Sequence, residues 1–233
     1  VFDTVNFSSS TPIRGTLNFD GIEFTRNNNQ NPIIKGIQWD SAAGNNALVV
    51  KNCKLQGHNE EIFRTSARLN SVSLKDIDSE ALYDLPECDT IFVDNCRSAC
   101  KSYHRCAYAD DEPAQKAVIK NSSGQHHIHA KDITVSDSYR QTNNRLDGPT
   151  FSGFDRILLD GIEQKDNGII LRPNPSASIR IEKSRISSVY ITSGKKETEE
   201  LKVLKLKSVD ILSSLIGVVS TDSSVITERL HCK

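Results

Sequence analysis

Apolar and polar residues alternate in short runs along this chain. Each run breaks at a small or polar residue before a second short alternation begins. The pattern is clearest in LVVKNCKL (48–55) and returns as LNFDGIEF (17–24), VSLKDIDS (72–79), IFVDNCRS (91–98) and IHAKDITV (128–135). It continues as ILLDGIEQ (157–164), IRIEKSRI (179–186), LKLKSVDI (204–211) and, more loosely, VITERLHC (225–232). The first, third and sixth places are mostly apolar, the fourth is charged, and the fifth is usually Gly, Asn, Asp or another small polar residue. Alternation of period two predicts short strands, and a Gly, Asn or Asp between two of them predicts a corner in the left-handed backbone region.

The fifth places are Gly21, Asn52, Asp76, Asn95, Asp132, Gly161, Lys183, Ser208 and Arg229, separated by 19 to 37 residues. Asn121 in VIKNSS offers a further corner inside the longest step. Spacing this variable excludes helical-hairpin repeats, whose packing fixes their length. It suits a coil with fixed corners and free loops. A second strand class follows the corners in EEIFRTS (60–66), EALYDLP (80–86), NGIILRP (167–173), SSVYITS (187–193) and SSLIGVVS (213–220), and predicts a third wall.

With VKNC, VDNC and LKDI at its corners, the chain resembles the right-handed parallel β-helix of the pectate-lyase-like superfamily over nearly its whole length. Its texture is closest to the chondroitinase-B-like group and bacterial surface β-helix proteins. The resemblance implies an all-β, single-stranded right-handed parallel β-helix, one domain over 1–233, of about nine coils. At about 4.8 Å per coil that is a rod of about 40 Å. It also implies an extracellular or bacterial cell-surface setting and polysaccharide binding on the third wall and its loops, where Arg64, Tyr83, Arg172 and Tyr190 are candidates to point outward. Neither terminus shows an amphipathic helix, so a neighbouring domain or partner chain is expected to cover an end whose strand edge is otherwise unpaired. Lacking any Met, the chain reads as an excised part of a longer exported protein.

Cys53 and Cys96 fill the sixth place, where Ile22, Ile77, Ile133 and Ile162 stand in other copies, so both thiols are expected in the core. Two coils apart, they exceed the about 7 Å reach of a disulfide. CRSACKSYHRC supplies Cys96, Cys100, His104 and Cys106 in a spacing that matches no common zinc arrangement, and no metal is expected. A Cys100–Cys106 or Cys88–Cys106 bridge stands beside free thiols.

In GQHHIHAKD, Ile128 and Ala130 take the apolar register, which places His127 and His129 together on the outer side. They lie between the two longest interruptions, 98–116 and 136–155, which carry Tyr103, His104, Arg105, Tyr108, Tyr139, Arg140 and Arg145. These residue types stack on sugars and pair with uronate carboxylates, and function concentrates on loops held by a rigid scaffold.

A lyase must neutralise a uronate carboxylate and remove the adjacent proton, whereas a hydrolase needs two facing carboxylates. GIILRPN resembles the segment that carries a catalytic Arg in the chondroitinase-B-like family, which maps Arg172 alone, since Pro173 replaces the family's His. His104 is a second candidate acid or base, and calcium is the cofactor the lyase reading implies; otherwise none is expected. Asp84, Asp110, Asp111 and Glu112 are the acidic residues available to a hydrolase.

Charged residues make up 25% of the 233 residues, yet the net charge is only -1. Such a field does not predict nucleic acid as a partner. No apolar run has the length of about 20 residues that spans a bilayer, so no membrane insertion is expected. A glycan-binding surface protein, a uronate lyase and a structural spacer of an adhesin or tailspike are the functions left standing.

Overall fold

A computed structural model describes residues 5–6, 12–25, 34–40, 44–56, 63–65, 68–101, 112–124, 126–139, 148–164, 168–191, 203–216 and 224–232. Every regular element among them is a strand. The first six are β1 (Val5–Asn6), β2 (Thr16–Asp20), β3 (Glu23–Thr25), β4 (Ile34–Ile37), β5 (Ala47–Lys51) and β6 (Lys54–Gln56). Next come β7 (Phe63–Thr65), β8 (Leu69–Lys75), β9 (Asp78–Asp84), β10 (Cys88–Asp94), β11 (Arg97–Lys101) and β12 (Ala114–Lys120). The chain ends in β13 (His126–Ser136), β14 (Thr150–Asp160), β15 (Glu163–Gln164), β16 (Ile169–Ile191), β17 (Val203–Ile216) and β18 (Ser224–Cys232). No described helix is long and apolar enough to cross a membrane.

The chain winds as a parallel β-solenoid. Its main wall is the ladder β2, β5, β8, β10, β12, β13, β14, β16, β17, β18 in unbroken chain order, every pair parallel. The alternation in the octets sets the register, because a slip of one residue would turn every inward side chain to water. Leu48, Val72, Ile91, Ala117, Ile133, Ile157 and Ile179 therefore stack as one buried column, and Val50, Leu74, Val93, Ile119, Val135, Leu159 and Ile181 as its neighbour. Each Val, Leu or Ile among them contributes about 1.5–3 kcal/mol relative to exposure.

After the main wall the chain turns at Gly21, Asn52, Asp76, Asn95, Asn121, Asp137, Gly161, Lys183 and Ser208, all with φ between 46 and 68°. At three of these corners an Asn amide bridges to a carboxylate on the preceding strand level: Asn52 donates to Asp20, Asn95 to Asp76 and Asn121 to Asp94. The residue after each corner points into the core. Where it is Ser it serves twice: the Ser122 hydroxyl donates to Lys120 O at 2.6 Å and accepts the Cys96 N–H at 3.1 Å. Ser138 likewise donates to Ser136 O and accepts the Ser122 N–H, and Ser184 donates to Glu182 O and accepts the Ile162 N–H. The thiols of Cys53 and Cys96 sit at this same place and face the carbonyls of Lys51 and Asp94.

Two expectations are corrected. Asp132 is not a corner: it lies within the main wall between Lys116 and Arg156, and its carboxylate accepts from Arg156 at 2.7 Å. IHAKDITV therefore spans the join between two walls, and the corners of that region are Asn121 and Asp137. The coil of strand, corner and second strand is also completed about five times rather than nine, since separate strands follow the corner only as β3, β6, β9, β11 and β15 among the described residues. In β16 and β17 the chain instead runs through its corner, at Lys183 and Ser208, without leaving the ladder.

Cys53, Cys88 and Cys96 are free and buried, which puts the first two octet thiols in the core as expected and removes the Cys88–Cys106 pairing. Burial pushes the Cys88 and Cys96 thiols up to about 12.

Candidate functional site

Two outer surfaces flank the corners and main wall, and their charge patterns differ. On the wall just after the corners, outward residues pair in register with alternating sign: Glu23 with Lys54, Lys54 with Asp78, and Asp78 with Arg97. Farther along, Glu163 pairs with Arg185, and Arg185 with Asp210. Opposite charges on neighbouring strands support one another and leave little net field. A shallow cleft of about 570 Å³ lies here, between Glu163, Lys183, Arg185 and Asp210. Its self-neutralised lining gives an ion of either sign no advantage.

The third wall is different. Its central part stacks the end of β11, the start of β13, the start of β14 and the start of β16. One row of register partners runs His127, Thr150, Ile170, in which His127 and Ile170 are partly exposed and Thr150 is buried, and the next runs His129, Ser152, Arg172. The inward residues between them, Ile128, Phe151 and Leu171, are fully buried. Alternation on β13 thus places His127 and His129 on the outer side together, as the sequence pattern implies. Arg172 is exposed, and among the described residues it forms no ion pair. His127, His129 and Arg172, three groups able to carry positive charge, therefore share this surface within two strand steps of about 4.8 Å. Tyr190 lies farther along β16, its ring so close over Gly168 that a Cβ there would collide with it.

The contact within the second row was not foreseen. His129 Nδ1 is 3.1 Å from Ser152 Oγ, and both residues are partly exposed. Gly153, with φ 66°, leaves room for this: a Cβ at that position would overlap the His129 ring. Asn174 secures the bend by donating from its amide to Gly153 O and to Asp155, each at 2.9 Å. The bulges on either side of Phe154 mark where β14 leaves the third wall for the main wall.

Tyr139 requires a correction. Expected on a glycan-facing loop, it is 1% exposed, and its hydroxyl lies 3.0 Å from Nδ1 of the fully buried His126. It stands two residues after the Asp137 corner, where most other coils carry an outward charged residue, and its own positive φ of 64° turns the side chain into the core instead. Tyr139 therefore cannot touch a ligand on the surface. Arg64 and Tyr83 lie on β7 and β9, strands of the predicted second class, with side chains outside the described residues. Tyr103, His104, Arg105, Tyr108, Arg140 and Arg145 lie outside the described residues altogether, as do Asp110 and Asp111. Glu112 is exposed and lies 4.0 Å from Arg68.

No group of three or more His, Cys, Asp or Glu side chains able to hold a metal is present among the described residues. Comparison with known proteins gives no match among family models, curated proteins or solved structures.

Proposed function

We propose that this chain is an extracellular or cell-surface β-helix protein that binds an acidic polysaccharide along the outer side of its third wall. The observation that carries the reading is the placement of His127, His129 and Arg172 beside a hydroxyl on three successive strands of this wall, with Arg172 exposed and without an ion pair among the described residues. A guanidinium without an ion-pair partner is suited to a carboxylate or sulfate, which it grips with two parallel hydrogen bonds. Tyr190 adds an aromatic body on the same wall for a sugar face. The fold supports the reading too, through the resemblance to the pectate-lyase-like superfamily, in which this wall is the glycan face. Among the described residues the ladder ends in β2 and β18, and the proposal includes a neighbouring domain or partner chain over at least one of these edges.

Electrophoresis of the native protein through gels containing polygalacturonate, alginate, chondroitin sulfate or a neutral glucan tests this. Retardation by one or more acidic polymers, weakened by salt and by Arg172→Ala, is the expected result. Equal mobility in every gel would refute it.

A second reading is a uronate polysaccharide lyase, favoured by the position of His129 two strand steps from Arg172. Arg172 would neutralise the uronate carboxylate and His129 would take the adjacent proton. Its test is the ultraviolet absorbance of unsaturated uronate product with and without calcium. A rise abolished by Arg172→Ala supports the lyase, and a flat trace on all substrates rejects it.

A further inference from the structure

The geometry points to acyl transfer at the third wall: Ser152 is the nucleophile, His129 its general base, and the substrate class is a carboxylic ester.

A serine hydroxyl is a weak nucleophile unless a base within hydrogen-bond reach takes its proton as it attacks. The 3.1 Å separation of His129 Nδ1 and Ser152 Oγ meets that condition. The pair is also held in place. Gly153 gives up the space the imidazole occupies, and the Asn174 amide fixes the carbonyl of Gly153 and the carboxylate of Asp155. Both side chains rise from strands rather than loops, so the wall ladder limits their motion. Neither residue is enclosed, and an ester on a bulky or polymeric molecule can approach. Arg172, the Cα partner of Ser152 on the next strand, stands on the side away from His129. A developing oxyanion between the two strands would meet its guanidinium, the preorganised charge that acyl transfer requires.

The chemistry closes on these residues and water. With the imidazole proton on Nε2, Nδ1 accepts the Ser152 proton while Oγ bonds to the ester carbonyl carbon. Collapse of the tetrahedral intermediate breaks the bond from that carbon to the alcohol oxygen, and the alcohol leaves with the proton from His129. Water then attacks the acyl-serine with His129 again as base, releasing the acid and restoring Ser152. For its polymeric substrate alone the inference rests on the binding reading: an acidic polysaccharide carrying ester substituents would be both ligand and substrate.

The test uses the full chain and two readouts that do not involve a polysaccharide. A fluorophosphonate probe should label the protein once, on the peptide containing Ser152, and labelling should disappear in Ser152→Ala and slow by at least about 100-fold in His129→Gln. Hydrolysis of p-nitrophenyl acetate should fall by a similar factor in both variants, with circular dichroism showing that each remains folded. Absence of label at Ser152 in the folded protein overturns the inference, as does wild-type turnover by Ser152→Ala. Gel retardation of Ser152→Ala separates the two proposals. Retention of an acidic polymer without labelling in the wild type refutes acyl transfer and leaves binding intact. Labelling and turnover without retention of any polymer support acyl transfer and refute binding.

Discussion

His126 should make this protein acid-sensitive by a calculable amount. The imidazole is fully buried, its Nδ1 lies 3.0 Å from Tyr139 Oη, and its Nε2 has no hydrogen-bond partner among the described residues. Burial, with a smaller contribution from the nearby His127, pushes its pKa down from 6.5 to about 4. The folded state thus holds the neutral ring while the unfolded chain accepts a proton near the ordinary pH. Stability from this residue is complete above pH 6.5 and is lost as pH falls through the interval from 6.5 to about 4. At about 1.4 kcal/mol per pKa unit, the whole interval is worth about 3 kcal/mol, of which most is gone by about pH 4.5. Urea unfolding followed by the strand circular dichroism signal, at steps from about pH 8 down to about pH 4.5, measures it for the wild type and for His126→Phe. The substitution will change stability at neutral pH by removing the contact to Tyr139, so the informative quantity is the difference between the two pH dependences. That difference should be flat above pH 6.5 and then close by about 2 to 3 kcal/mol as the wild type alone loses stability. Parallel curves across the whole interval would refute the reasoning and show that the folded protein protonates His126 as readily as the unfolded chain does.

Ser122→Ala removes the acceptor of the buried Cys96 N–H and should cost about 1–3 kcal/mol in urea unfolding, whereas Cys96→Ser, which keeps a donor toward Asp94 O, should stay within about 1 kcal/mol of wild type. Cys88 and Cys96, their thiols pushed up to about 12 by burial, should resist iodoacetamide at about pH 8 in the folded protein and react after denaturation, as read by mass spectrometry. Gly153→Ala places a Cβ against the His129 ring at φ 66°. It should lower the thermal midpoint, shift the His129 ring signals in NMR, and destabilise by more than the about 1 kcal/mol that glycine replacement gains or loses at an unstrained position.

The repeat was legible because its causes are local. Alternation separates inward from outward residues within five positions, as in Val72 and Leu74 beside Ser71, Ser73 and Lys75, and a positive φ favours Gly, Asn or Asp, so the corners at Gly21, Asn52, Asp76, Asn95 and Gly161 could be named directly. The same local logic placed Cys53 and Cys96 in the core and His127 and His129 on the surface. It misplaced the corner at Asp132, because the break in the alternation at Lys131–Asp132, where β13 passes from the third wall to the main wall, has the same polar signature as a corner. It misplaced Tyr139 as well, since a polar loop composition hides one aromatic that turns inward beside a corner.

Ser152 was invisible for a more general reason. Its neighbour His129 lies 23 residues away, and Arg172 reaches the next strand only because the ladder aligns two stretches separated by turns of unequal length. A serine carries no periodic signal of its own, and the loops between these strands leave no fixed spacing to read. The sequence by itself determined the walls, the corners and which side of each strand meets water, because those depend on neighbours along the chain. Only the tertiary structure decided which outward side chains meet, because that depends on the register between successive turns.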